Sequence, residues 1–338
     1  MIHATGDVRQ PHADDRGGTL VRALLVTLAV PASWPLALAA FLLRGGFVAV
    51  LLPIVVLPSP VGLGNVLAPV FTAVAFRGLS GELVAGLGLV LVVLAAWVVV
   101  GGLLAALLET EAIRLAVRAD DENADAAASA GARSDALLSA RQVAARILGA
   151  RIVAHLPTVA AMTVGSVVLV TVAYRELTSP VDVATPIVIR VLRGAPEAVT
   201  AVVAAWMLGE ILGGIAARRI VNGGAGVRRA LREACAELIR HPLTVLLRSL
   251  VPTAALVLVL VPSLLAASAA WVILRIALRS GLDPLAAPAL VLFVGVWTVG
   301  LLLIGIASAW RGTVWSMGDR RPVLRPHTSA SEAQITSD

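Results

Sequence analysis

The chain has 338 residues, 59% of them hydrophobic and 14% charged, with a mean hydropathy of +0.92. Soluble domains are nearer about 45–50% apolar, so this composition excludes an ordinary water-soluble fold. The net charge of +6 at pH 7 is carried by arginine alone, in stretches that flank apolar runs rather than interleave with aromatics, which argues against a nucleic-acid partner and for the positive-inside bias of a membrane protein.

The first 18 residues hold Asp7, Asp14 and Asp15, a poor basic region for a cleaved signal, and read as a disordered tail without a cleavage site. A short lead-in around Arg22-Ala23-Leu24 ends at Pro31, and the first span is expected over 32–57. Arg44 falls within it, in Leu42-Leu43-Arg44-Gly45-Gly46. The alternative is a crossing over 20–43 that places Arg44 in an outer turn, with 47–57 re-entrant. Pro31 and Pro35 oppose that helix. The connection that follows carries Ser59-Pro60-Val61, a Val66–Phe76 segment too short to cross, then Phe76-Arg77-Gly78 and Glu82.

The second span is expected over 82–107. Glu109 and Glu111 at its exit, with Arg114 and Arg118 beyond, read as a solvated, paired helix end. Residues 119–135 are small, polar and acidic and fit disorder. A surface helix follows over 137–152, its apolar face interrupted by Arg141 and Arg151. The third span, 154–174, opens beside His155. The next connection repeats the first: Ser179-Pro180-Val181, a short apolar Ala184–Leu192, Leu192-Arg193-Gly194, then Glu197. Segments of about ten residues suit re-entrant or interfacial pieces.

The fourth span, 196–217, contains Trp206, Glu210 and the small face of Gly209, Gly213 and Gly214. Residues 227–241 form an amphipathic helix with Val227, Ala230, Leu231, Ala234 and Leu238 on one stripe. Arg229/Glu233 and Glu237/His241 stand at i,i+4. Such a helix suits a leaflet containing anionic lipid. The fifth span, 249–273, runs to Leu278-Arg279-Ser280-Gly281 and Asp283. The sixth covers 285–309, and residues 319–338 read as a disordered tail.

Twenty arginines fall on one side of this layout, six on the other, and Arg44 within a span. That bias places both termini in the cytoplasm. The recurring arginine, small residue and acid before each second span put Arg77, Arg193 and Arg279 at equivalent positions. They define three parallel units, 19–118, 136–222 and 227–318, each a surface helix plus two spans in a single 19–318 membrane domain. The fold class is an all-α, six-span membrane bundle.

No paired cysteine, zinc-type histidine spacing, phosphate loop or nucleophile elbow occurs, so no catalytic, cofactor or metal residue is expected. Arg44 and Glu210 are the candidate intramembrane pair, because a charge in hydrocarbon faces the bundle interior and finds a partner. Pairing of Glu210 with Arg218 or Arg219 is the alternative.

The stretch from Phe41-Leu42-Leu43-Arg44-Gly45-Gly46 to Ser59-Pro60-Val61 resembles uncharacterised multi-pass membrane proteins of high-GC bacteria. The surface-helix-plus-two-spans unit distantly resembles the membrane domains attached to some glycerophosphodiester phosphodiesterases. The second resemblance is architectural, so no catalytic residue carries over. The expected role is a non-enzymatic scaffold or partner subunit of a bacterial plasma membrane, with anionic lipid and a membrane protein as partners. The alternative is a small-molecule or lipid permease component. A scaffold predicts a filled, apolar interior; a permease predicts a polar cavity reached by Arg44 and Glu210.

Overall fold

A computed structural model of the chain describes residues 16–54, 78, 80–121, 136–178, 187–279 and 284–318. These residues are helical, with no strand among them. Six helices are long and apolar enough to cross a membrane: Ser33–Leu51, Gly81–Ala119, Ala140–Glu176, Pro196–Gly223, Pro242–Arg279 and Ala286–Met317. They correspond one for one to the six expected spans. Arg77, both Ser-Pro-Val motifs, the Val66–Phe76 segment and most of the predicted disordered stretches lie outside the described residues.

In chain order the elements are α1 (Arg16–Ala29), α2 (Ser33–Phe41), a π-type turn (Leu42–Gly46), α3 (Phe47–Leu51), α4 (Gly81–Asp121), α5 (Ala136–Ala154), α6 (Leu156–Thr178), α7 (Ile187–Gly194), α8 (Pro196–Gly223), α9 (Val227–Arg240), α10 (Pro242–Arg279) and α11 (Ala286–Gly318). The helices overrun the expected spans at the arginine-rich end. The stretch expected to be disordered begins at 119, but α4 continues to Asp121; residues 122–135 lie outside the described residues.

The apolar residues are consistent with lipid as the solvent. Along α4, Leu89, Leu91, Val92 and Val93 point in different directions, and all are exposed. A helix apolar on every side is stable only where its surroundings are apolar too. Burial is concentrated at the arginine-rich end. There Ala144, Ile147, Ala150, Ala216, Ala217, Ile220 and Ala230 join α5, α8 and α9 in one core. Small residues dominate that core, as expected where helices approach closely without hydrophobic drive between them.

α9 uses its stripe as expected but against protein. Ala230 and Ala234 are fully buried on α8 and its neighbours, so the stripe docks the helix onto the bundle. The Arg229–Glu233 pair forms at 2.8 Å. Glu237 pairs instead with Arg219 of α8, also at 2.8 Å, because docking brings that longer, permanently charged side chain within reach.

Two backbone features shape the interior. In the π-type turn Gly45 has φ 102°, a conformation that glycine adopts without steric cost. The first span therefore kinks at Arg44. α10 passes through Pro252 and Pro262 without ending, and packs antiparallel on α11 through Ala270, Leu274, Ala289 and Phe293.

Candidate functional site

Five helical segments bring charges together at the arginine-rich end of the bundle. Arg44 of the π-type turn donates through Nη2 to Glu109 Oε2 of α4. Arg151 of α5 forks onto the same carboxylate, with Nη2 to Oε1 at 2.7 Å and Nε to Oε2 at 3.2 Å. Arg151 Nη1 also lies 3.6 Å from Glu210 Oε1 of α8. Glu210 accepts from Arg311 Nη2 of α11 at 2.7 Å. His155, at the junction of α5 and α6, places Nε2 3.5 Å from Glu210 Oε1, with Nδ1 2.9 Å from the Arg151 carbonyl oxygen.

The result is a chain of ion pairs, Arg44–Glu109–Arg151–Glu210–Arg311. The expected Arg44–Glu210 pair is thus corrected: both residues belong to one network, with Glu109 and Arg151 between them. The reason is geometric. The Leu43 carbonyl oxygen packs at Gly101 of α4, and Glu109 is eight residues further along, roughly 12 Å at helical rise. The arginine stem and the glutamate side chain, reaching toward each other, together span that interval. Arg218 and Arg219, the alternative partners of Glu210, have other engagements. Arg218 donates to the carbonyls of Gly214 at 2.6 Å and Gly312 at 2.9 Å and lies over the Trp315 ring.

Glu109 is the second correction. Its side chain is 11% exposed rather than solvated, while Glu111, two residues on, does form the expected surface pair with Arg114 at 2.9 Å. The 100° step of a helix turns Glu111 outward and Glu109 in. Sequence reasoning also missed Arg151, His155 and Arg311. The one available signal was Arg151 on an otherwise apolar face, which looked like a defect in an amphipathic helix. It is where α5 supplies its charge to the interior.

These charges border a cavity of about 400 Å³, within the range typical of small-molecule sites. Arg44, Glu109, Arg151, Glu210, Arg218 and Arg311 line it, with Phe41, Ile113, Leu256, Leu260 and Trp315 among the apolar wall. The buried Ser308 hydroxyl in its lining has no hydrogen-bond partner among the described residues. Glu109 is 28 residues beyond Gly81 and Arg311 is 25 beyond Ala286, roughly 42 and 38 Å at 1.5 Å per residue. Both residues thus stand well along their helices, toward the arginine-rich ends of α4 and α11. Arg193 of α7 and Arg279 at the end of α10 are exposed and do not line the cavity. Among the described residues no group of three His, Cys, Asp or Glu could hold a metal ion.

Fold and site together define a multi-pass helical membrane bundle with a charged cavity between its helices. Comparison with protein-family models, with curated proteins and with solved structures gives no significant match. The cavity itself is therefore what a functional reading must explain.

Proposed function

We propose that the protein is a permease component of a bacterial plasma membrane, with both termini cytoplasmic, and that a small polar or amphiphilic molecule passes through the cavity. The observation that carries this reading is the charged cavity itself. A scaffold is served by a filled apolar interior, and buried charge is costly to retain without use. This reverses the order of the two roles expected from composition and motifs.

The three-unit organisation supports the same reading. We read a shorter helix followed by two spanning helices in each of α1–α4, α5–α8 and α9–α11, with α7 added in the second unit. Each unit contributes to the cavity: Arg44 and Glu109 from the first, Arg151 and Glu210 from the second, Thr253 and Arg311 from the third. Parallel repeats around a shared site are a known transporter plan. The cavity is read as a place of binding and passage, with its two carboxylates held in ion pairs.

A cysteine at Thr253, in a background carrying Cys235→Ser, tests this. The protein is reconstituted in vesicles of a single orientation and treated with a membrane-impermeant thiosulfonate from either side. A permease passes between states open to each side, so modification from both sides is expected. Modification from one side only, or from neither, overturns the reading.

A further inference from the structure

We propose that the cavity binds the anionic headgroup of a membrane lipid that enters sideways between α8 and α10. The proposal rests on the permease reading of the same cavity and names the class of its substrate.

Charge balance comes first. Arg44, Arg151 and Arg311 face Glu109 and Glu210 in the cavity wall, an excess of one positive charge (+3 and −2) without counting Arg218, which is engaged by Gly214, Gly312 and Trp315. Excess charge in a poorly solvated cavity is stabilised by a counter-ion of opposite sign. The ion-pair chain shows where that anion is received. Arg44 and Arg311 are its ends, and in the contacts described each donates to a carboxylate through one Nη2 only. A guanidinium has five N–H donors in a planar fork suited to phosphate or carboxylate oxygens. The Ser308 hydroxyl adds a further donor in the wall.

Wall chemistry comes second. Apart from these polar groups the lining is mostly aliphatic and aromatic, with Ala37, Phe41, Ile113, Leu256 and Leu260. A fully hydrated anion gains nothing from such a surface, whereas an amphiphile buries its chain there.

The third observation is the way in. Trp206 of α8 and Val257 of α10 both line the cavity and keep 42% and 49% of their surface exposed. We take the edge between these two residues as the way in. The opening is at the arginine-rich end, which we assign to the cytoplasmic side, where the leaflet presents anionic headgroups.

The purified full-length protein in detergent is equilibrated with equal amounts of phosphatidylglycerol and phosphatidylcholine bearing the same chains, and retained lipid is counted by native mass spectrometry. Phosphatidylglycerol should be retained over phosphatidylcholine by about tenfold or more, the ratio that one discriminating charge-assisted contact provides. Arg44→Gln and Arg311→Gln should each lower that ratio. Arg228→Gln combined with Arg232→Gln, on the exposed face of α9, should leave it unchanged. Should the cavity arginine variants fail to fold, Thr253→Trp fills the cavity without altering charge and should abolish retention.

Equal retention of the two lipids overturns the proposal. So does a preference that survives the cavity variants and vanishes in the α9 variant. Displacement of phosphatidylglycerol by millimolar inorganic phosphate assigns the site to a free anion and overturns the lipid assignment. A lipid preference beside one-sided thiosulfonate modification keeps the lipid site and removes permeation. Two-sided modification without lipid preference does the reverse.

Discussion

A β-carbon on Gly209 would stand 2.9 Å from the His155 ring. The α8 backbone thus comes close enough to the α5–α6 junction for His155 to face Glu210, one residue beyond that glycine. Gly209→Ala must push the ring or the helix aside. It should destabilise the bundle by about 1–3 kcal/mol, the usual cost of overpacking. Unfolding in mixed detergent micelles followed by tryptophan fluorescence measures it, and a variant as stable as the parent contradicts the close approach.

Among the described residues, Arg151 is the one arginine that contacts both Glu109 and Glu210. Removing it takes one arginine from each of two poorly exposed carboxylates, leaving Glu109 to Arg44 and Glu210 to Arg311 and His155, whereas removing Arg44 takes a partner from Glu109 alone, which stays forked to Arg151. Arg151→Met should therefore cost about 3–5 kcal/mol, as for breaking a buried pair, and Arg44→Met clearly less. The same unfolding measurement ranks them, and equal losses would show that Arg151 is not the centre of the chain.

Charge exchange separates direct from indirect partners. Arg44→Glu combined with Glu109→Arg should recover part of the stability lost by either change. Arg44→Glu with Glu210→Arg should recover less, since Arg151 lies between those positions. Coupling energies from double-mutant cycles decide, and stronger coupling for Arg44 with Glu210 would restore the direct pair.

The exposed surface of α9 has its own pH response. Hydrogen bonding from Arg229, reinforced by its charge, holds the Glu233 carboxyl below the usual glutamate range. A depressed carboxylate contributes stability above its unfolded value and loses it as pH falls through the folded value. Arg229→Gln should return Glu233 toward the ordinary value in a side-chain NMR titration. No change would place the carboxylate elsewhere.

The six spans were legible because lipid imposes a uniform demand. A run such as Leu83–Leu108 needs no partner to be recognised, only length and the absence of charge. The α9 stripe was legible for the related reason that a 3.6-residue period survives whatever it packs against. The site was legible only at Arg44 and Glu210, the charges deepest in apolar sequence. Glu109 and Arg311 lie where spans give way to polar sequence, so local context reads them as solvated ends. Their burial comes from α4 and α11 extending alongside other helices, a tertiary fact with no local signature. Arg151 shows the same point from the other side: its departure from the amphipathic pattern was visible, but its meaning depended on α4 and α8. The first crossing follows the Pro31–Pro35 argument for a span starting near residue 32, and the structure adds the Gly45 kink that aims Arg44 along the bundle.

The central claim is that the bundle encloses an accessible cavity with excess positive charge. Rates of modification of Thr253→Cys, in the Cys235→Ser background, by an anionic and a cationic thiosulfonate of similar size test it most directly. Attraction into a positive cleft should make the anionic reagent faster by about tenfold or more relative to the same pair on a free thiol, with the preference falling as salt rises. Equal rates, or a preference for the cation, would contradict the account.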